Sequence, residues 1–189
     1  MATELELKVR VESHESVRER LKSLGGQYIG TVIERNVMFD AADGSLRKSG
    51  CGLRVRSTTV LDGANPGSKV TFKGPGQSSK LKCREEVECK VENGDDMIAV
   101  LERLGFNRAL EYHKKRERWK LDDCVVELDE PARLGLFVEI EGPNEKTILA
   151  AQQRLGLESL QHLDTSYVEM AAKYCAEHEI KNRVVSGEW

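Results

Sequence analysis

The sequence lacks the features that most quickly assign a protein to a class. Its 189 residues include no apolar run that approaches the roughly 20 residues of a transmembrane helix, and the first residues do not resemble a secretory signal. The five cysteines contain no pair spaced by two residues, and the four histidines are scattered. These patterns argue against a disulfide framework and against a zinc site. We therefore expect a cytoplasmic protein with reduced, unreactive thiols and no membrane partner.

Neither sign of charge is in excess. Lys and Arg total 29 and Asp and Glu total 32, which gives a formal net charge of −3. This balance disfavours a nucleic-acid partner held by bulk charge, although it leaves room for a local basic pocket. Charged residues nevertheless make up 32% of the chain. The length predicts a single domain, which we place at residues 1–180, followed by a C-terminal tail at residues 181–189.

Eight stretches of the sequence are typical of strands and four are typical of amphipathic helices. The strands are predicted at 4–11, 28–40, 53–56, 69–73, 82–91, 108–121, 124–130 and 136–142. The helices are predicted at 13–24, 95–104, 144–156 and 164–178, and the last three have Asp95 or Asp96, Asn144, and Asp164 or Thr165 as N-caps. Many strands with few helices favour an α+β fold: a closed, eight-stranded antiparallel β-barrel that forms a tunnel, with the helices packed outside.

Charged side chains occupy one face of nearly every predicted strand, because residues i and i+2 of a strand point to the same side. In the first strand, Glu4, Glu6 and Lys8 share a face and Leu5 and Leu7 share the other. The simplest alternative is a half-buried sheet whose polar face lies in water. Solvated faces usually carry Thr, Ser and Gln, however, whereas almost every position here is fully charged. We therefore favour charged faces that converge inside the barrel.

A lumen of this kind predicts a polyanionic ligand bound together with a metal ion. Many partly buried charges are costly unless they are compensated, and cations on the carboxylates with an anion on the basic residues would compensate them. Carboxylate and phosphate oxygens are the ligands that Mg²⁺ or Mn²⁺ prefers, and Arg and Lys bind phosphate. Phosphoryl chemistry depends mainly on positioning and charge neutralisation, so no Ser or Cys nucleophile is required, and none is apparent.

The first-strand motif resembles the signature of the CYTH superfamily, the triphosphate tunnel metalloenzymes. The resemblance covers about residues 2–175, and the ordered set of motifs is more specific than the first motif alone. The set comprises Glu4-x-Glu6-x-Lys8, Leu53-Arg-Val-Arg56, Phe72-Lys-Gly-Pro-Gly76, Arg84-Glu-Glu-Val-Glu88, Lys114-Lys-Arg116, Glu127-Leu-Asp129 and Leu134-Gly-Leu-Phe-Val-Glu139-Ile-Glu141. The resemblance implies an enzyme that uses Mg²⁺ or Mn²⁺ and binds a triphosphate or a nucleotide, and it makes a homodimer plausible.

The resemblance also implies roles for individual residues. The residues implied in catalysis are Glu4, Glu6, Lys8 and Lys114. The implied metal ligands are Glu4, Glu6, Asp129, Glu139 and Glu141. The residues implied to hold the triphosphate are Lys8, Arg54, Arg56, Lys73, Arg84, Lys114, Arg116 and Arg118, and further acids of the tunnel are Glu86, Glu88 and Glu127. Tyr167 resembles a position in the last helix that plugs or lines a tunnel mouth, with a packing tyrosine as the alternative.

Three functions remain open from the sequence. The first is metal-dependent hydrolysis of inorganic tripolyphosphate or of an organic triphosphate, which the fuller acidic set favours because it resembles the tripolyphosphatase-like members. The second is a class IV adenylyl cyclase that converts ATP to cyclic AMP and pyrophosphate. The motifs Lys73-Gly-Pro-Gly76 and Leu134-Gly-Leu-Phe-Val-Glu139-Ile140 resemble those of this cyclase and its relatives. The third is a nonenzymatic module that binds polyphosphate or nucleotide. We place hydrolysis first because it demands fewer specific contacts, and no adenine-selective pocket is visible in the sequence.

Overall fold

The computed structural model describes residues 2–63, 66–77 and 82–189, and describes the side chains of residues 5–63, 66–76 and 85–189. The nine strands are β1 (Ala2–Val11), β2 (Gln27–Ala41), β3 (Gly52–Asp62), β4 (Gly67–Gln77), β5 (Lys82–Val91), β6 (Phe106–Leu121), β7 (Cys124–Pro131), β8 (Leu136–Glu141) and β9 (Val184–Val185). The helices formed by the described residues are α1 (Glu15–Ser23), α2 (Ser45–Lys48), α3 (Gly94–Arg103), α4 (Glu145–Arg154) and α5 (Tyr167–Glu177). The described part of the chain holds no helix that is long and apolar enough to span a membrane.

The eight long strands form one antiparallel sheet that is strongly curled. Their order is β2-β3-β4-β5-β1-β8-β7-β6, and β2 pairs with β6 as well as with β3. The β2–β6 ladder extends from Gln27 opposite Lys120 to Ala41 opposite Phe106. The predicted antiparallel eight-stranded sheet with helices outside it is therefore confirmed. Closure of this sheet into an enclosed tunnel stays a prediction.

Most apolar side chains of the strands lie outside the curl and are covered by helices, while α5 packs on Tyr112 and Phe137 of the inner face. The first core joins β1, β6, β7 and β8 to α1 and α4, and it includes Leu7, Val9, Val17, Leu21, Val126, Leu128, Val138, Ile140 and Ile148. A second core packs α3 onto β2 and β3 through Ile98 and Val55. Each such aliphatic side chain contributes roughly 1.5–3 kcal/mol when fully buried. Because the helices take up the apolar faces, the charged faces are left to meet one another inside.

Two of the three predicted helix caps differ from the sequence-based expectation. Asn93, rather than Asp95 or Asp96, caps α3, because its side chain accepts hydrogen bonds from the backbone N–H groups that follow. Ser166, rather than Asp164 or Thr165, is the N-cap of α5 and forms a reciprocal capping box with Glu169. The predicted cap Asn144 is confirmed.

The short helix α2 follows a turn after the end of β2. It is held by the carboxylate of Asp40, which accepts hydrogen bonds from the backbone N–H groups of Leu46 and Arg47. At the other end of the chain, β9 pairs in parallel with β6 at Glu111 and Tyr112, and Val185 is buried. Part of the segment predicted as a tail therefore packs against the domain.

The outer face of β6 carries an ion pair with a testable effect on stability. Arg35 donates to both carboxylate oxygens of Glu111 over 2.9 and 3.1 Å, and His113 Nε2 lies 3.0 Å from Glu111 Oε1. The hydrogen bond with His113 and the pairing with Arg35 lower the pKa of Glu111 to about 2 against burial. A carboxylate whose pKa is lowered on folding stabilises the protein above its ordinary pKa, and the contribution is lost as the pH falls through the folded value.

We expect Glu111→Gln to lower the free energy of unfolding by about 1–3 kcal/mol at pH 7, because charge-assisted hydrogen bonds are lost. The difference from the unsubstituted protein should hold above pH 4.5 and narrow as the pH falls from 4.5 toward 2. Chemical denaturation at a series of pH values measures it. Glu102→Gln is the control, because Glu102 forms an exposed pair with Arg108 and should change the free energy by less than about 1 kcal/mol. A loss for Glu111→Gln that does not vary with pH would contradict this account.

Candidate active site

The inner face of the curled sheet carries a buried group of charged side chains. Its members on β1, β6, β7 and β8 have only 0% to 6% of their surface exposed, and they are Lys8, Lys114, Arg116, Glu127, Asp129 and Glu139. Strand register brings them together, since Arg116 lies opposite Asp129, Glu127 opposite Glu139, and Lys8 opposite Glu139. Four basic and acidic motifs that are distant in sequence therefore share one site.

Arg116 is at the centre of this group. Its Nε lies 2.6 Å from Asp129 Oδ1, and its Nη2 lies 2.6 Å both from Asp129 Oδ2 and from Glu139 Oε2. Its Nη1 is paired with Glu127. Burial opposes the charged form of Arg116, yet the negative charges of Asp129 and Glu127 raise its pKa well above the ordinary value. One guanidinium thus pairs with three buried carboxylates.

Two lysines complete the positive side of this group. Lys114 Nζ donates to Asp129 Oδ2 over 2.9 Å, and Lys8 Nζ lies 3.1 Å from Glu139 Oε1. Lys8 Nζ also donates to the backbone carbonyl of Thr165 over 3.2 Å. Burial alone would raise the pKa of Glu139, but Lys8, Lys114 and Arg116 outweigh burial and hold it well below the ordinary value. Glu139 is therefore ionised at neutral pH and available as a ligand.

A second charged group lies on β2 and β3. Arg56 Nη1 pairs with Glu34 Oε1 over 2.9 Å, and Arg56 Nε donates to Asn36 Oδ1 over 2.9 Å. Glu34 Oε2 lies 3.4 Å from Lys114 Nζ, which links this group to the first one. Burial favours the neutral acid, but Arg56 and Lys114 lower the pKa of Glu34. Sequence reasoning missed Glu34 and Asn36; their common signal was a polar i, i+2 pair on a strand.

The remaining inner-face residues on β3, β4 and β5 form a less buried group. Arg54 Nη2 lies 3.4 Å from Thr71 Oγ1, and Lys73 is paired with Glu86. Glu88, which is exposed, accepts from Lys69 and Thr71. The predicted bases Arg54 and Lys73 thus lie on the same inner face as Arg56, farther along the sheet from Arg116.

The outer members of the predicted site are placed less tightly. Glu6 is half-buried and lies opposite Glu141, which is exposed, in the β1–β8 ladder. The Arg118 side chain is 43% exposed, and its Nε lies 2.9 Å from Glu127 Oε1. The side chains of Glu4 and Arg84 lie outside the described residues, although their backbones are opposite each other in the β1–β5 ladder.

Three carboxylates of the buried group have the spacing of a metal site. Glu127, Asp129 and Glu139 each offer an oxygen within 4.8 Å of the others. Glu127 Oε1 forms no well-aligned hydrogen bond with any described residue, and burial raises the pKa of Glu127 to about 7 against the pull of Arg116 and Arg118. Three buried carboxylates at this spacing fit an additional cation such as Mg²⁺ or Mn²⁺. Glu127, which the sequence indicated only as an additional acid, belongs to this cluster.

Tyr167 closes one side of the buried group. Lys8 Nζ lies 3.9 Å and Lys114 Nζ 4.9 Å from the centre of its ring, and Phe137 contacts the ring edge-on at 5.3 Å. Burial, together with the negative charges of Asp129 and Glu139, raises the pKa of Tyr167 well above its ordinary value. The first residue of α5 therefore contacts the site, as well as packing against Phe137.

Comparison with known proteins agrees with this architecture. The model of the CYTH domain matches residues 2–168. The chain belongs to the CYTH family. A Methanocaldococcus jannaschii protein named "Putative adenylate cyclase MJ0240" is 34% identical over 138 residues, which are 73% of this chain and 75% of that protein. The resemblance seen in the sequence is thus confirmed.

Solved structures of the family share the fold. The PH1819 protein of Pyrococcus horikoshii has a TM-score of 0.77 at 23% identity, and the superposition covers 90% of this chain and 99% of the PH1819 chain. The PH1012 protein of the same organism has a TM-score of 0.74 at 26% identity, with coverages of 88% and 98%. HpAC1 of Hippeastrum, for which a dominant triphosphatase activity is described, has a TM-score of 0.65 at 20% identity, with coverages of 89% and 96%.

Proposed function

We propose that this protein hydrolyses a triphosphate, either inorganic tripolyphosphate or an organic triphosphate, with the help of Mg²⁺ or Mn²⁺. The observation that carries the proposal is the buried set of opposite charges around Arg116, which joins a carboxylate cluster to several bases. Such a set is costly for folding alone, since replacing buried ion pairs by apolar residues is often neutral or stabilising. Binding of a ligand that carries several negative charges, together with a cation, would explain why these charges are buried here.

The substrate would lie in a tunnel formed by the curled sheet. The pairing of β2 with both β3 and β6 supports closure. Because β6 also pairs with β7, neither β2 nor β6 is left at a free edge of the eight-stranded sheet. Helices α1, α3 and α4 cover the outer apolar faces, and the apolar cluster around Phe137 and Tyr167 occupies only part of the inner face beside the charges. The tunnel would therefore present its charged lining to the substrate.

The bases would bind the phosphate oxygens and the acids would hold the metal. We assign the first role to Lys8, Arg54, Arg56, Lys73, Arg84, Lys114, Arg116 and Arg118, and the second to Asp129 and Glu139 with Glu4, Glu6 and Glu141, while Glu86, Glu88 and Glu127 add negative charge to the tunnel. A bound divalent cation would supply charge neutralisation at the phosphate oxygens. Arg side chains would orient the phosphates through paired hydrogen bonds. Hydrolysis then breaks one P–O bond and adds water across it.

The second candidate is a class IV adenylyl cyclase. The name of the Methanocaldococcus jannaschii relative favours it, and the same charged lining would bind the triphosphate of ATP. Cyclisation additionally requires the ribose 3′-oxygen to be aligned with the α-phosphate. Hydrolysis needs no contacts to base or ribose, and the activity described for HpAC1 supports it. We therefore place hydrolysis first.

A product assay tests the proposal. Purified protein is incubated separately with tripolyphosphate and with ATP, with Mg²⁺, with Mn²⁺ or with EDTA, and the products are resolved. We expect metal-dependent release of phosphate and pyrophosphate from tripolyphosphate. Cyclic AMP as the main product from ATP would put the cyclase first, and binding without any turnover would leave a nonenzymatic module.

A further inference from the structure

Tyr167 is held firmly at the buried group of charges. It is the first residue of α5, whose start is fixed by the Ser166–Glu169 capping box, and Phe137 packs against its ring. The ammonium nitrogens of Lys8 and Lys114 lie over the same ring, at 3.9 and 4.9 Å from its centre. Cation–π contacts of this kind orient lysines without consuming their hydrogen-bond donors.

The hydroxyl of Tyr167 forms no well-aligned hydrogen bond with any described residue. Tyr167 is 5% exposed and its hydroxyl oxygen is buried. Burial raises the pKa of Tyr167, and the charge of Asp129 and hydrogen bonding to that carboxylate raise it further. Asp129, the carboxylate whose charge acts on it most strongly, already accepts from Arg116 through both oxygens and from Lys114 through one. A buried hydroxyl without a well-aligned hydrogen bond costs free energy, and a phenylalanine at this position would avoid that cost.

We propose that the Tyr167 hydroxyl donates a hydrogen bond to a nonbridging oxygen of the phosphate group that Lys8 and Lys114 hold, and is thus a substrate-binding residue. This inference rests on the proposed triphosphate substrate. A tyrosine hydroxyl is protonated at neutral pH and can donate one hydrogen bond, while a phosphate oxygen of a triphosphate can only accept. The Tyr167 hydroxyl and the two lysine ammonium groups would then bind the same phosphate group.

Tyr167→Phe isolates the hydroxyl, because the ring and its contacts with Phe137 and the lysines remain. We expect the thermal unfolding temperature to stay the same or rise, since a buried polar group without a well-aligned hydrogen bond is removed. We expect kcat/KM for tripolyphosphate with Mg²⁺ or Mn²⁺ to fall about 10- to 100-fold, the range for a lost hydrogen bond to a charged group. Calorimetric titration with tripolyphosphate in EDTA should show a similar loss of affinity without turnover.

Tyr174→Phe is the matched control. Tyr174 lies on the same helix but stacks on His178 at 4.0 Å rather than on the lysines, so this variant should bind and turn over tripolyphosphate as the unsubstituted protein does. Unchanged binding and kcat/KM in Tyr167→Phe would overturn the inference. A lowered unfolding temperature for Tyr167→Phe would also overturn it, because it would reveal a structural partner for the hydroxyl.

The two proposals fail in different ways. If the unsubstituted protein neither binds tripolyphosphate nor hydrolyses it, the proposed substrate is wrong and the role of Tyr167 with it. If the unsubstituted protein is active and Tyr167→Phe has the same kcat/KM and the same affinity for tripolyphosphate, only the proposed role of Tyr167 is wrong. The ratio between the two proteins, measured in the same titration, therefore decides this inference alone.

Discussion

Asp129→Asn is expected to reduce the hydrolysis of tripolyphosphate by about 10²- to 10³-fold, the scale for the loss of one preorganised electrostatic group. Asp129 is fully buried, and its two oxygens hold Lys114 and both the Nε and Nη2 nitrogens of Arg116. Asparagine keeps the shape of the side chain but removes its charge. A metal ion would lose a carboxylate ligand, and the two basic residues would lose the group that orients them.

The same substitution leaves two buried cations without their shared partner. Breaking a buried ion pair costs about 3–5 kcal/mol, so the free energy of unfolding should fall together with activity. Titration with Mn²⁺ separates the two effects, because it measures the metal site in whatever fraction of the variant is folded. We expect weaker Mn²⁺ binding by folded Asp129→Asn than by the unsubstituted protein.

Glu130→Gln is the matched control for this experiment. Glu130 is the next residue of β7 and lies opposite Lys115 in the β6–β7 ladder, so its side chain points to the outer face. Its neutralisation should leave Mn²⁺ affinity and turnover within about twofold of the unsubstituted protein, as a surface substitution does. A folded Asp129→Asn variant with normal turnover would remove Asp129 from the site.

The sequence was informative wherever charge alternated along a strand. Lys8, Lys114 and Arg116, and the acids Asp129 and Glu139, each belong to such a pattern and are all buried on the inner face. The period of two residues in a strand fixes which side chains share a face. Apolar faces that require cover then leave the charged faces on the opposite side. This reasoning required no knowledge of which strands are neighbours.

Contacts between strands could not be predicted in the same way, because they depend on register. Glu127 joins the buried acids since β7 and β8 place it opposite Glu139, and no feature within β7 specifies that register. Glu34 was missed for a related reason: no second charge stands two residues from it on β2. Glu34 gains its importance from Arg56 on β3 and Lys114 on β6. The bridging position of Arg116 likewise arises from three strands at once.

Arg116→Met provides the sharpest test of how the buried acids are compensated. The guanidinium pairs with Glu127, Asp129 and Glu139, and the three carboxylates lie close enough to share one cation. Methionine keeps an apolar stem but carries no charge, so in EDTA we expect the free energy of unfolding to fall by about 3–5 kcal/mol. Activity should also be lost, because the triphosphate loses the planar guanidinium, a bidentate hydrogen-bond donor.

Added Mn²⁺ or Mg²⁺ should stabilise Arg116→Met more than it stabilises the unsubstituted protein. A ligand that binds only the folded state stabilises it in proportion to the logarithm of its concentration over its dissociation constant, and removal of the competing guanidinium should lower that constant. Chemical denaturation in EDTA and at several Mn²⁺ concentrations measures the difference. Arg118→Met is the control, because Arg118 is 43% exposed and, among the described residues, pairs with a single carboxylate, that of Glu127, so its loss should cost less than about 1 kcal/mol. An equal metal response in Arg116→Met and the unsubstituted protein would mean that the cation binds elsewhere, and the three carboxylates would then serve only to hold Arg116.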